Sequence, residues 1–566
     1  MNYRPQRRVY LLIYLFIMGM IACQPSIAAT NDSELIFTST PQIVPNPNPA
    51  VPLAALLRFQ TNKPVQTHIQ ITLGDNHRII EYPATASPQQ DLTLIGFNAG
   101  QKHQVNITVS DPETATSITK QLTFNAPKLP TAIEAFPIIE TKRLSNVAME
   151  AGITLFNPRR RIPVSATNAE RANNFGRKFG LLVAVDEAGD VIWYYQADSR
   201  ISDFELLDNG HIIFLTQDFR AVEIDLLGNV ITQWYAKRRP KGEIEGAIPV
   251  DTLTFHHDID VLPNGNFLVL GSERQQIPNY YDSEEDINAP RKTHWVMVDV
   301  VIEFNREGKI VWQWNIADYM DVFRIGYETF GGFWERRGYK NTIDWSHVNT
   351  MQLVDENSIL LSSRYQSALF MVDRNTKQIS WIAGEPSGWD DNLRPKLLKM
   401  QNDAEWFWHQ HSPVITSRGT LLLFDNQNYQ TRPFDKPIPP AQTRSCATEY
   451  RLDIEQKTLQ PIWDSIIPND PAVASYAMGS TQYLETTGNI LVGYGFLLSQ
   501  ADIQNKTWHT LTEGNVWTRA REYTHDSPAQ VVWELQLKGR ENDIGLGWTL
   551  FGARRIPHFP PIITTK

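Results

Sequence analysis

Four stretches decide the fold: Ser202-Asp-Phe-Glu-Leu-Leu-Asp-Asn-Gly210, His257-Asp-Ile-Asp-Val-Leu-Pro-Asn-Gly265, His411-Ser-Pro-Val-Ile-Thr-Ser-Arg-Gly419 and Ser480-Thr-Gln-Tyr-Leu-Glu-Thr-Thr-Gly488. In each, a glycine stands eight positions after a serine or histidine. Glycine tolerates the positive φ of a tight turn, so each stretch reads as a strand entering a hairpin. A looser copy starts at His347 and turns at Asp355-Glu356-Asn357. Between the copies lie hairpins whose returning strand bears tryptophan: Trp193, Trp234, Trp312, Trp381, Trp463 and Trp533. No long helical periodicity interrupts them. Two hairpins repeated six times, at intervals of about 40–80 residues, predict a six-bladed β-propeller over residues 131–566. The tryptophans read as blade core.

Upstream, residues 30–130 alternate in short runs such as Leu56-Leu57-Arg58-Phe59 and Val105-Asn106-Ile107-Thr108-Val109, with turns such as Gly74-Asp75-Asn76. That pattern predicts a small N-terminal β-sandwich, joined through the Pro-containing linker Asn125–Pro130. Residues 1–29 read as an export signal. Arg4, Arg7 and Arg8 precede the apolar run Val9–Ala22, and small residues follow at Ser26, Ala28 and Ala29. Met20-Ile21-Ala22-Cys23 is an imperfect lipobox, so simple cleavage and a lipid anchor on Cys23 are both open. Either route places the mature chain outside the cytoplasm.

Composition narrows the function. The 566 residues carry a net charge of −10, and loss of the three leader arginines takes it to −13. Such a balance excludes a general nucleic-acid binder, which needs a basic face. Two cysteines, Cys23 and Cys446, exclude zinc ribbons, iron–sulfur clusters and disulfide scaffolds. There is no Gly-x-x-x-x-Gly-Lys-Ser/Thr phosphate loop, no Cys-x-Pro-x-Arg sulfatase run and no Gly-x-Ser-x-Gly elbow.

In a propeller the first strand of each blade lines the central channel, so a residue repeated at its head recurs around the axis. That position holds Ser202, His257, His347, His411 and Ser480. Three of the chain's 13 histidines are therefore expected to converge. Arg364 ends the strand after His347, and Asp258 and Asn349 flank the histidines. Three imidazoles suit zinc or iron. The neighbouring arginine, and the lack of Asp or Glu at a head position, favour instead a site for a tetrahedral oxyanion, with no metal. A histidine there can act as a nucleophile on sulfur or phosphorus. A metal- or quinone-dependent propeller oxidoreductase and a non-catalytic ligand-binding propeller are the competing readings. The insertion before His347 holds Tyr319, Phe323, Tyr327, Phe330, Phe333 and Trp334, suited to stacking on an aromatic ring. Tyr327 and Phe330 are its candidates for substrate binding. The acidic insertion Tyr280–Asp286 reads as solvated.

The runs Phe255-His256-His257-Asp258-Ile259, Asp344-Trp345-Ser346-His347-Val348-Asn349, Ser362-Ser363-Arg364-Tyr365-Gln366 and Trp408-His409-Gln410-His411-Ser412 resemble those of the bacterial arylsulfate sulfotransferases. So does the start Pro45-Asn46-Pro47-Asn48-Pro49. The resemblance implies a periplasmic enzyme that moves a sulfuryl group from a phenolic sulfate ester to a phenol, without a nucleotide or other cofactor. It implies a ping-pong cycle through a sulfohistidine, small-molecule donor and acceptor as partners, and a homodimer. It gives His411 as nucleophile, His347 as acid and base with Asn349 beside it, and Arg364 as the sulfate-binding cation. The first histidine falls on His256 or His257, and the repeat favours His257. Well-known members carry two nearby cysteines where this chain has Cys446 alone. His409 shares a strand face with His411 if the run is extended, and is given a structural role because the repeat aligns His411.

Overall fold

A computed structural model describes residues 34–132, 134–161, 178–511, 516–538 and 547–560. The export signal of residues 1–29, with Cys23, lies outside the described residues. The chain is all-β: the one α-helix among the described residues is the six-residue Gln500–Asn505. No helix among the described residues is long and apolar enough to cross a membrane.

Among the described residues, six sheets built on four antiparallel strands follow one another after residue 138, three of them with a short parallel strand added. Five run in chain order from strands Ile201–Leu206, His256–Val261, Val348–Asp355, His411–Ile415 and Ser480–Tyr483. The sixth is completed from both ends of this region. Its first strand, Trp548–Ile556, pairs with Ile153–Arg160, which pairs with Gly180–Val185 and then Val191–Ala197. The hairpin glycines 210, 265, 419 and 488 all have φ between 73° and 83°, as the repeat requires. Each repeated tryptophan lies on the fourth strand of its sheet. Four of them also bridge sheets: the indole N–H of Trp193, Trp234, Trp312 and Trp463 donates to the carbonyl of Leu226, Arg306, Arg374 and Asp526 in the following sheet. The tryptophans are therefore both packing and strap.

The first strands are sheet edges, with backbone N–H groups that have no further strand to meet. Side chains from the neighbouring first strand supply the acceptors. Asp203 accepts from Ile259 N (3.4 Å), Asp258 from Met351 N (2.7 Å) and Asp260 from Leu353 N (3.1 Å). Thr350 and Gln352 accept from Ser412 N and Ile415 N (3.0 and 2.7 Å). Ser480 and Gln482 accept from Ala553 N and Arg555 N (3.0 and 2.7 Å), and Arg554 pairs with Glu205 at 2.5 Å. With Ser412 beside Thr481 (3.4 Å), these bonds pass through all six first strands and return to the strand that holds Asp203.

Two smaller sheets precede this region. One pairs Phe37–Pro45, Ala55–Thr61 and Gln89–Leu94; the other pairs Asn76–Tyr82, Gln66–Leu73, Lys102–Ser110 and Ser117–Asn125. Their apolar residues, including Phe59, Ile69, Val105 and Phe124, share one buried cluster with Phe156, Trp533 and Trp548. Arg78 reaches Asp186 (2.5 Å) and Asn46 reaches the Leu227 carbonyl (2.9 Å). The insertion Tyr280–Asp286 differs from the solvated loop expected. Tyr280 and Glu284 are buried, and Glu284 accepts the backbone N–H groups of Glu328 and Phe330 (2.9 and 3.2 Å). A carboxylate can be buried when it satisfies an irregular segment that has no strand partner.

Gln482→Ala removes the acceptor for Arg555 N and the donor to Arg555 O. A lowered melting temperature corresponding to about 1–3 kcal/mol is expected, against less than about 0.5 for Gln456→Ala in an exposed turn. Equal effects would show that these bonds do not hold the first strands together.

Candidate active site

The heads of the first strands are not regular. Register breaks fall between His256 and Ile259, Val348 and Thr350, and His411 and Val414. His257 (φ 57°), His347 (φ 47°) and Ser412 (φ 49°) adopt left-handed conformations there. Each costs of order 1–3 kcal/mol for a residue other than glycine. Bulges of this kind re-aim a side chain at a strand end, and three heads on neighbouring strands are re-aimed together.

The rings of His257 and His347 lie 4.8 Å apart, edge to face. Phe551 lies 5.4 Å from the His411 ring and 6.4 Å from that of His257. Phe333 stacks on His257 at 5.8 Å and meets His347 edge to face at 4.5 Å, while Tyr365 stacks on His347 at 4.5 Å. The His256 ring meets that of His257 edge to face at 5.1 Å. Its Nε2 sits 3.2 Å from Asp299 and 3.1 Å from the Gly271 carbonyl, and its Nδ1 lies 2.8 Å from that of His257. Asn349 donates to the Gln410 carbonyl at 2.8 Å, and its Oδ1 has no partner among the described residues. Gln410 itself donates to Ser362, Ser363 and Ala368, so the peptide before His411 is pegged from both sides.

Arg364 follows the strand Ser358–Ser363 and is 4% exposed. Its guanidinium donates to Glu328 at 2.7 Å and to the carbonyls of Tyr476 and His409 at 2.9 and 3.3 Å. Tyr476 also donates its hydroxyl to Glu328. Glu328 has φ 73° in a segment pressed against this turn: a Cβ on Gly326 would sit 1.7 Å from the Tyr365 carbonyl. The run around His411 is not extended throughout. His409 has φ 53°, the strand begins only at His411, and His409 packs beside Glu328 and Tyr429. Tyr327 stacks on Tyr429 at 4.6 Å and donates to the Asp435 carbonyl. Phe330 meets His294. Neither has a ring contact with His257, His347 or His411, whereas Phe333, Tyr365 and Phe551 do.

Burial and then Arg364 push both His347 and His411 down to about 3, and burial followed by the other imidazoles holds His257 well below the usual range. Asp344, 2.5 Å from Nδ1 of His347, is raised by burial and then by Asp299 to about 8. Trp334 fixes its other oxygen at 2.9 Å. At neutral pH the His347–Asp344 pair thus holds one proton more than neutral imidazole beside a carboxylate. With that proton between Nδ1 and the carboxyl, Nε2 carries hydrogen. His411 is a neutral base. The arrangement offers a nucleophilic nitrogen, a proton donor and a fixed cation in one buried place. Among the described residues no three His, Cys, Asp or Glu side chains gather as a metal set. Cys446 is buried and unpaired as a disulfide, its thiol pushed up by burial and then Asp425.

Because His411 is held near 3 in the folded state and near 6.5 when unfolded, the unfolded chain binds the extra proton between those values. Its contribution therefore favours folding above about 6.5 and is lost as pH falls toward 3. The stability of His411→Gln relative to the unchanged protein should rise by up to about 1.4 kcal/mol per pH unit below 6.5. A difference that does not vary with pH would mean that His411 is not buried as a neutral base.

The arylsulfotransferase family model matches residues 140–542. Two arylsulfate sulfotransferases, from Lelliottia amnigena and Escherichia coli O6:H1, are each 23% identical over 333 and 334 residues. These matches cover 49% and 50% of this chain and 51% and 52% of the relatives, so the chain spans about half the length of the curated relatives it matches. Among solved structures, a protein of unknown function from Bacteroides caccae aligns at TM-score 0.35 and 12% identity, over 71% of this chain and 99% of its own. BamB from Moraxella catarrhalis aligns at TM-score 0.25 and 12% identity, over the same shares.

Proposed function

The chain belongs to the arylsulfotransferase family, and from that premise we propose that it moves a sulfuryl group from an aryl sulfate ester to a phenol without a nucleotide donor. We read the six sheets as a six-bladed propeller over residues 131–566 and the two smaller ones as a sandwich over residues 30–130. The export signal of residues 1–29 makes it a periplasmic enzyme in this account. The observation that supports the reading most is the grouping of His257 and His347 at 4.8 Å, with Phe551 between His257 and His411 and Tyr365 between His347 and Arg364.

The ester is a monoanion, and its transfer runs through a loose in-line transition state like that of phosphoryl transfer. Positioning and fixed charge do most of the work. The lone pair of neutral His411 forms a bond to sulfur as the bond to the aryl oxygen breaks. The electron pair leaves with the phenoxide, which takes the proton from Nε2 of His347. The proton shared with Asp344 then settles on Nδ1, leaving Nε2 as a base. In the second half-reaction that base removes the proton of the acceptor phenol, whose oxygen bonds to sulfur as the histidine leaves. Arg364 and His257 hold the non-bridging oxygens throughout. Phe333, Tyr365 and Phe551 flank the imidazoles with faces against which an aryl ring can lie.

Release of p-nitrophenol from its sulfate should depend on an added phenol, and His411→Ala should abolish it in a protein that stays folded. Release without an acceptor at the same rate would identify a hydrolase. Arg364→Ala should cost about 3–4 kcal/mol of transition-state stabilisation, a 10²–10³-fold loss in kcat/KM. An unchanged kcat/KM would remove Arg364 from the mechanism.

The proton on the His347–Asp344 pair is present below about pH 8 and lost above it. The donor half-reaction should therefore decline as pH rises through 8. Asp344→Asn should abolish that limb while sparing KM; an unaltered profile would show that Asp344 does not tune His347.

A further inference from the structure

An imidazole nitrogen can bond to phosphorus as well as to sulfur. Aryl sulfates and aryl phosphate monoesters share one tetrahedral shape and differ in charge. The sulfate ester carries one negative charge at neutral pH, the phosphate ester about 1.5–2. Selection between them therefore has to come from the charges around the imidazoles. Arg364 is not a bare cation there. Glu328 takes its Nη2 at 2.7 Å, and both side chains are buried. The Tyr476 carbonyl takes the same nitrogen at 2.9 Å, and the Tyr476 hydroxyl donates to the other oxygen of Glu328. Glu284 in turn accepts the backbone N–H groups of Glu328 and Phe330, which holds the left-handed Glu328 in place. Acceptors among the described residues take three of the guanidinium N–H groups, and the others can meet an oxyanion. The pair thus offers hydrogen bonds without a net charge.

The other charges nearby do not replace the one that Glu328 cancels. Burial holds His257, His347 and His411 neutral, and the His347–Asp344 pair with its proton is neutral as well. Asp203, Glu205, Asp258 and Asp260 line a cavity of about 350 Å³ that has His257 and His411 at its head. Arg554 in that cavity is paired with Glu205 at 2.5 Å and Asp203 at 3.4 Å. Arg159 stands 4.1 Å from the Phe551 ring with Asp203 facing it, and Arg337 stands 3.4 Å from the Phe333 ring. A phenylalanine ring therefore lies between each of these two and the imidazole side. A monoanion suits such surroundings, whereas a second negative charge would be buried without a counter-ion.

We propose that Glu328 determines specificity through Arg364: by cancelling the guanidinium charge it makes the site select monoanionic sulfate esters over phosphate monoesters of the same shape. This deepens the sulfuryl-transfer reading and rests on it for where the tetrahedral group lies, but binding can be measured without turnover. Benzenesulfonate and phenylphosphonate lack the ester oxygen, so calorimetric titration of the full chain with each reads affinity alone. Near pH 7.5 the His347–Asp344 pair keeps its proton and the phosphonate is mainly a dianion. The sulfonate should bind the unchanged protein at least tenfold more tightly than the phosphonate. Glu328→Gln keeps an oxygen for Arg364 and removes the charge; it should raise phosphonate affinity and bring the ratio to one or below. A merely structural role would weaken both ligands together and leave the ratio where it was. If Glu328→Gln does not fold, the unchanged protein still decides, because phosphonate bound as tightly as sulfonate overturns the proposal. So does a ratio that Glu328→Gln leaves in place. Transfer from p-nitrophenyl sulfate alongside a ratio near one would count against Glu328 alone. An intact ratio that responds to Glu328→Gln, without any transfer, would support the selectivity and count against the sulfuryl-transfer reading alone.

Discussion

Six first strands lie edge beside edge, and they bring backbone N–H groups with no strand beyond to receive them. Leaving such groups buried without partners costs about 1–3 kcal/mol apiece. Here the cost is offset by a side chain from the next first strand: Asp203, Asp258, Thr350, Ser412 and Ser480 each reach one strand onward. Four of these residues lie at or next to the repeat head, with Asp258 and Ser412 adjoining His257 and His411, and Thr350 stands three positions after His347. The bonds that hold the strands in register thus also fix where the imidazoles stand. The acidic character of the cavity below them is a consequence of the same bonding.

Above that layer the chemistry depends on keeping imidazoles unprotonated beside a guanidinium. Burial disfavours charge on His411, and Arg364 disfavours it further. The guanidinium is itself affordable only because Glu328 and two carbonyls face it. His347 is different, since Asp344 lets a proton reside on the pair up to about pH 8. In the proposed mechanism the two histidines therefore take separate tasks, His411 as a lone pair and His347 as a proton carrier, because His347 has a carboxylate behind it.

The repeat made much of this visible in the amino-acid sequence. An eight-residue spacing from head to glycine marks a strand and its turn wherever it occurs, so Ser202, His257, His411 and Ser480 could be aligned without coordinates, and the tryptophans marked the fourth strands. What the repeat does not encode was not legible. Glu328 comes from an insertion with no counterpart in other sheets, and its left-handed backbone has no sequence signature. Asp344 lies three residues before His347, within a quoted run but with nothing to show that the turn folds it back. Aromatic density singled out Tyr327 and Phe330 along with Phe333, yet density does not say which ring faces the imidazoles. Tyr327 packs on Tyr429, and only Phe333 turns inward. The bulges at the strand heads were equally hidden, and with them the fact that His409 leaves the strand path.

The central claim is that His411 accepts the sulfuryl group. Intact-mass and peptide mass spectrometry of the full chain, quenched at alkaline pH after brief exposure to p-nitrophenyl sulfate without acceptor, tests it most directly. The account predicts one added SO₃ on His411, discharged when a phenol is supplied and missing from His411→Ala. A stable adduct on another residue, or turnover with acceptor and no adduct under any quench, would contradict it.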